Sequence, residues 1–76
     1  MTSKATPRYA VCVRNRGYAA SLEVSKIYRW LRDAKAGRMG LRRVVDESGE
    51  DYLYPVDFFV AMRLPAAAIR ALRRRR

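Results

Sequence analysis

Short runs of strand-forming residues, each ended by turn residues, most constrain what this chain can fold into. The runs are rich in β-branched and aromatic residues, which pack well on a pleated surface. They cover residues 9–14, 26–32, 41–46, 51–54 and 60–62. Because 76 residues bury enough surface for one core and not for two, these runs must share one small sheet. The sequence therefore predicts a single, mainly β domain.

The most strongly predicted local structure is a hairpin formed by residues 41–46 and 51–54. The two runs are separated by Glu47-Ser48-Gly49-Glu50, in which Gly49 can adopt the left-handed conformation of a tight turn. Pro55 removes a backbone donor, so it is expected to end the second strand or place it at an edge. Residues 56–59 then turn the chain into a last short strand.

Residues 21–33 allow two interpretations. Leu22, Ile27 and Leu31 fit one face of a helix, whereas Tyr28 and Trp30 alternate as in a strand. The β-branched and aromatic content favours a loop at residues 21–25 and a strand from about residue 26 to 32. Residues 34–40 contain two glycines and are expected to form a loop with at most a frayed helical turn.

A change of composition at Pro65 predicts a C-terminal helix. Proline suits the first helical turn, and alanine, isoleucine and leucine follow it before the chain ends in four arginines. The expected organisation is a flexible segment at residues 1–7, a domain at residues 8–64, and a helix with a basic tail at residues 65–76. The expected core consists of Val11, Val13, Ile27, Leu31, Val44, Leu53, Phe58 and Val60, with Cys12 as a small buried hydrophobe.

Several functional classes are disfavoured by what the chain lacks. There is no histidine, which removes Ser-His-Asp and Cys-His catalysis and the usual nitrogen ligand of zinc. The acids at residues 46–51 lack the alternate spacing of a calcium loop, and the glycines match no phosphate-binding loop. We therefore expect no enzyme, no cofactor and no metal site.

The single cysteine excludes an internal disulfide, and the first residues show no signal-peptide pattern. No apolar run is long enough for a membrane span. These features predict a cytoplasmic protein.

The segment Tyr-Pro-Val-Asp-Phe-Phe-Val at residues 54–60 resembles the closing segment of SH3 domains, where a proline, a 3₁₀ turn and an aromatic residue lead into the last strand. About fifty residues of the chain are also similar to small uncharacterised bacterial proteins with an SH3-like fold, through residues 12–15, 21–24, 26–28 and 46–55. This resemblance implies a five-stranded antiparallel barrel and supplies no activity, since one barrel supports many functions. The loop at residues 15–25 has Glu23 as its single acid, unlike peptide-binding SH3 domains.

The net charge of +10 is the main indication of a partner. Arg70 and Arg73–Arg76 supply five of these charges, which leaves +5 for residues 1–69. A basic cluster attracts phosphate polymers through counterion release. Arg42 and Arg43 are adjacent on a strand and point to opposite faces, so at most one of them joins a basic surface. The expected nucleic-acid-binding residues are Arg42, Arg70, Arg73, Arg74, Arg75 and Arg76.

Three alternatives remain open from the sequence. The tail can be a merely solvated end that aids solubility. A protein partner can bind an aromatic groove or an open sheet edge, for which the expected surface is formed by Tyr28, Tyr52 and Tyr54. An anionic membrane surface is a weaker alternative. The favoured function is accessory binding of RNA or single-stranded nucleic acid.

Overall fold

The computed structural model describes residues 8–74, which form a five-stranded antiparallel sheet and two helices. The elements, in chain order, are β1 (Arg8–Cys12), β2 (Ile27–Leu31), α1 (Ala34–Arg38), β3 (Leu41–Val45), β4 (Asp51–Pro55), a 3₁₀ turn (Val56–Phe58), β5 (Phe59–Met62) and α2 (Ala66–Arg74). A mainly β fold with a C-terminal helix is confirmed. The predicted flexible segment at residues 1–7 lies outside the described residues, as do Arg75 and Arg76.

The strands are arranged in the order β4-β3-β2-β1-β5, with every neighbouring pair antiparallel. β4 and β5 are the two edges, and within residues 8–74 they do not pair with each other. The sheet is therefore open, and closure into a barrel stays a prediction.

The segment whose conformation the sequence left open is a strand. β2 pairs with β1 from Val11↔Ile27 to Arg8↔Trp30, and its far end pairs with β3 through Trp30↔Val44. The helical alternative is disfavoured because, as a strand, this segment forms backbone hydrogen bonds with a neighbouring strand on each side. The predicted strand at residues 26–32 is confirmed.

The β3–β4 hairpin forms as expected, with Gly49 at φ +86°. The amide of Asp46 donates to the carbonyl of Glu50 at 3.1 Å, and the Asp46 side chain accepts a hydrogen bond from the Ser48 amide at 2.9 Å. This aspartate turn fixes the chain reversal.

Both helices are short. Asp33 caps α1 by accepting the Ala36 amide at 3.0 Å, so the predicted loop contains a complete short helix. Gly40, at φ +76°, reverses the chain into β3. α2 begins one residue after Pro65, as predicted, and Leu72 near its end lies in a shallow cavity beside Ile27.

The core lies on one face of the sheet and differs from the predicted set. Val44 is buried as expected, but Val13, Leu53 and Val60 are exposed by 43%, 36% and 53%. The other four predicted residues are half-buried. The observed core consists of Ala10, Cys12, Leu22, Tyr28, Val44, Tyr54 and Phe59, with Trp30 and Phe58 packed against it.

The prediction was wrong about which face of these strands is buried. Successive side chains point to opposite sides of a sheet, so a shift by one residue exchanges the buried and the exposed sets. In β5 the buried residue is Phe59 and its neighbour Val60 faces out. In β4 the buried residue is Tyr54 in place of Leu53. The prediction that Cys12 is a core residue is confirmed, since the residue is 0% exposed, and burial raises the pKa of its thiol.

Candidate nucleic-acid interface

The antiparallel sheet separates charges of opposite sign to its two ends. At one end β1 begins, β2 and β5 finish, and α1 leads into the start of β3. Six basic residues come from these points, and we call them the basic end: Arg8, Arg32, Lys35, Arg38, Arg42 and Arg63. The one acid among these segments, Asp33, is engaged by Arg43 at 2.9 Å.

The opposite end of the sheet carries most of the carboxylates. We call it the acidic end, and it consists of the loops that join β1 to β2 and β3 to β4, together with Asp57 and Phe58 of the 3₁₀ turn, which contact Arg14 and Val13 after β1. Its acids are Glu23, Asp46, Glu47, Glu50, Asp51 and Asp57. Two bases of this end are paired, Lys26 with Glu47 at 2.6 Å and Arg14 with Asp57 at 3.4 Å.

The charges of the basic end are not neutralised by neighbouring acids. Within residues 8–74, none of its six bases forms a salt bridge. Arg32, Lys35, Arg38 and Arg63 are exposed, and Arg8 and Arg42 are half-buried. Unpaired positive charges that lie close together raise the local electrostatic potential and attract polyanions.

An arginine–tryptophan stack lies at the centre of the basic end. Arg8 lies directly opposite Trp30 in the β1–β2 register, and Arg42 comes from β3 on the other side of β2. Their guanidinium carbons lie 5.5 and 4.2 Å from the centre of the Trp30 ring, within the range of a cation–π contact. The stack therefore fixes two of the six cations in position.

Arg42 is the most constrained cation of the stack. Burial lowers the pKa of its guanidinium, yet an arginine stays charged in proteins. Its Nη1 atom and the Trp30 Nε1 atom are buried and have no hydrogen-bond acceptor in the described part of the chain. As the alternation of a strand predicts, Arg43 points to the other face, where it pairs with Asp33 and Asp51.

The structure places two of the predicted nucleic-acid-binding residues, Arg42 and Arg73, at opposite ends of the sheet. Arg42 belongs to the basic end, whereas Arg73 lines a cavity of about 520 Å³ with Glu47 and Gly49, at the acidic end. Arg70 is exposed on α2. The side chain of Arg74 and the whole of Arg75 and Arg76 lie outside the described residues.

The predicted aromatic surface is corrected by the burial of two of its tyrosines. Tyr28 and Tyr54 are 5% and 3% exposed and belong to the core, while Tyr52 is 51% exposed. The hydroxyl of Tyr28 donates to Glu47 at 2.5 Å, and that of Tyr54 donates to Asp46 at 2.5 Å. Burial and this carboxylate contact raise the pKa of Tyr54 to about 12. These tyrosines have a structural role because the hairpin carboxylates satisfy their hydroxyls.

The predicted site did not include Trp30 or five of the six bases of the basic end, because these residues are scattered along the sequence and do not form a basic run. Arg8 starts the first strand, Arg32 follows the second, and Arg63 follows the last. In an antiparallel sheet these alternating starts and ends meet at one edge of the fold. Once the strands had been assigned, the positions of these bases at strand starts and ends were therefore sufficient to predict that they lie close together.

A second surface feature lies at the acidic end. Val13, Val24 and Phe58 line an open cleft of about 640 Å³ with Arg14 and Asp57. Val13 and Val24 are 43% and 44% exposed, so the cleft presents aliphatic surface to solvent.

Among residues 8–74 no three potential ligands from His, Cys, Asp and Glu come together to hold a metal ion. Neither helix of that part of the chain is long and apolar enough to cross a membrane. Comparison of the chain with models of known families, with curated proteins and with solved structures gives no match.

Proposed function

We propose that this protein is a non-enzymatic module that binds nucleic acid through the basic end of its sheet. The observation that carries the proposal is the convergence of six bases, without salt-bridge partners among residues 8–74, from five separate points of the chain. Neutralising phosphates with such bases releases counterions, which provides sequence-independent affinity.

The proposed architecture is an SH3-like barrel that is open between its edge strands. Support comes from the strand order β4-β3-β2-β1-β5, the tight β3–β4 hairpin and the 3₁₀ turn between β4 and β5. Of these features, the 3₁₀ turn lies within residues 54–60, the closing segment on which the resemblance rests.

A nucleic acid fits the basic end better than an anionic membrane does. Membrane-surface binding combines bases with an inserted apolar face. On α2 the apolar candidates, Ile69 and Leu72, are half-buried, and Leu72 lies against the sheet beside Ile27. Met39 and Met62, exposed by 60% and 36%, are exposed large apolar residues that adjoin bases of the basic end in sequence. Two isolated side chains give little insertion.

The test neutralises three bases of the basic end in the triple variant R32Q/K35Q/R38Q. All three are exposed and none forms a salt bridge within residues 8–74, so the fold should be retained. Three lost phosphate contacts should reduce the slope of log K against log salt by about 2–3, at 0.7–0.9 per contact. Fluorescence anisotropy of a labelled oligonucleotide over a salt series measures this slope.

The matched control is R16Q/R70Q/R73Q, which removes the same charge from the acidic-end loop and α2. We expect its slope to stay close to that of the unchanged protein. A larger loss in the control than in the basic-end variant would assign binding to the helix and tail. An unchanged protein that binds neither RNA nor DNA at low salt would refute the proposal.

The cleft lined by Val13, Val24 and Phe58 favours a second function, docking of an apolar peptide segment of a protein partner. The variant Val24→Lys places a charge in the cleft at an exposed position. It should abolish capture of peptides from a displayed library without changing the affinity for nucleic acid. Equal peptide capture by both proteins would remove this candidate.

A further inference from the structure

The basic end has cations but no free aromatic face. Trp30, the only tryptophan, has a guanidinium group over its ring from each flanking strand, Arg8 from β1 and Arg42 from β3. The exposed tyrosines, Tyr18 and Tyr52, are elsewhere. Tyr18 packs on Tyr54 with ring centres 5.0 Å apart, and Tyr52 is the second residue of β4, near the acidic end.

This arrangement has a consequence for the form of nucleic acid that fits. Proteins that bind single strands gain much of their affinity from bases that stack on aromatic side chains. The basic end offers no uncovered ring for this purpose among residues 8–74. Its contacts are therefore restricted to phosphates, which a duplex presents in a regular and denser array.

The width of the basic end also suits a duplex. Four of its bases, Arg63, Arg8, Arg32 and Arg42, lie on or directly after four adjacent strands, β5, β1, β2 and β3. At about 4.8 Å per strand they span about 14 Å. The major groove of B-DNA is about 12 Å wide, so bases at the two sides of this row can reach phosphates of both strands of a duplex.

We propose that the basic end binds the phosphate backbone of double-stranded nucleic acid in preference to single strands, without reading bases. This inference rests on the proposed function and specifies its ligand. It departs from the preference for RNA or single strands that the sequence favoured. DNA and RNA duplexes share the relevant phosphate chemistry, and the experiment includes both.

The magnitude follows from counterion release. Log K falls by about 0.9 per phosphate contact with a duplex and about 0.7 with a single strand, for each tenfold rise in salt. With five contacts, the ratio of duplex affinity to single-strand affinity therefore rises about tenfold when the salt concentration falls from about 1 M to about 0.1 M. Trp30 fluorescence reports independently on base stacking, because a stacked base would displace a guanidinium group from the indole ring.

The experiment titrates the full-length protein with a DNA duplex, an RNA duplex and a poly-dT strand of equal length, and follows both anisotropy and Trp30 emission. We expect about tenfold tighter duplex binding, a steeper salt slope, and little quenching by poly-dT. Poly-dT binding that equals or exceeds duplex binding, with Trp30 quenched, would overturn this inference while leaving the proposed function standing. Binding of none of the three would overturn both. A duplex preference that persists unchanged in R32Q/K35Q/R38Q would show that the basic end is not its source.

Discussion

Replacing Phe59 by alanine should destabilise this protein far more than the same change at Phe58, its neighbour in sequence. Phe59 is 5% exposed and its ring lies 6.4 Å from that of Tyr28 and 6.2 Å from that of Tyr54. Phe58 is half-buried at the end of the 3₁₀ turn and contacts Tyr18 at 5.9 Å. The sequence alone favoured Phe58 as the core residue, so the pair tests which face of the last strand is buried.

The expected cost of Phe59→Ala is about 3–5 kcal/mol, the range for removing a fully buried phenylalanine. A domain of this length has a free energy of unfolding of about 4–11 kcal/mol, so this one change removes a large share of it. For Phe58→Ala we expect about 1–2 kcal/mol, because part of its side chain already contacts water in the folded protein.

Urea unfolding followed by Trp30 fluorescence measures both variants, since Trp30 packs against the core cluster. At about 4–8 °C per kcal/mol, the melting temperature should fall by at least 12 °C for Phe59→Ala and by roughly 4–16 °C for Phe58→Ala. A Phe58→Ala variant that is less stable than Phe59→Ala would refute the assigned strand face.

Two further predictions concern the loops. The hydrogen bonds from Ser48 and Tyr54 outweigh burial and lower the pKa of Asp46. Its stabilising contribution is therefore present above the unfolded-state pKa of about 3.9 and is lost as the pH falls through the folded value. Asp46→Asn should lower the melting temperature at neutral pH and lose that difference at about pH 2, as circular dichroism would show; a difference independent of pH would contradict the argument. Ser25 has φ +78°, so Ser25→Gly should raise the stability by up to about 1 kcal/mol; a lower urea midpoint would show that the serine side chain contributes more than the strain costs.

The existence of the strands was predictable, but which face they bury was not. Gly49 and the acids around it predict the β3–β4 hairpin locally. In β1, Ala10, Val11 and Cys12 are all apolar, so alternation gives no indication of the inner face. In β4 hydrophobicity favours Leu53, yet Tyr54 occupies the core because its hydroxyl reaches the Asp46 carboxylate. A hydrogen-bond partner 8 residues away, in the turn after β3, is information that the sequence of β4 alone does not contain.

The same limit applies to the candidate site. The arginine run at the end of the chain is conspicuous in the sequence, whereas Arg8, Arg32 and Arg63 are single residues far apart. Their proximity is a product of strand order, which depends on all five pairings. Arg42 was predicted to be a binding residue and does belong to the basic end, but the other bases of that end come from β1, α1 and the residues that follow β2 and β5, while Arg73 lines a cavity at the acidic end.

The separation of charge between the two ends of the sheet gives the molecule a permanent electric dipole moment along its strands. Six carboxylates against Arg14, Arg16, Lys26 and Arg73 leave two negative charges at the acidic end. Two elementary charges of each sign held about 17 Å apart, the length of a five-residue strand, amount to roughly 160 debye. In the field of a polyanion such a dipole experiences a torque that turns the basic end forward before contact. Encounters should then be productive over a wider range of starting orientations, and this advantage should disappear once added salt shortens the Debye length below about 8 Å.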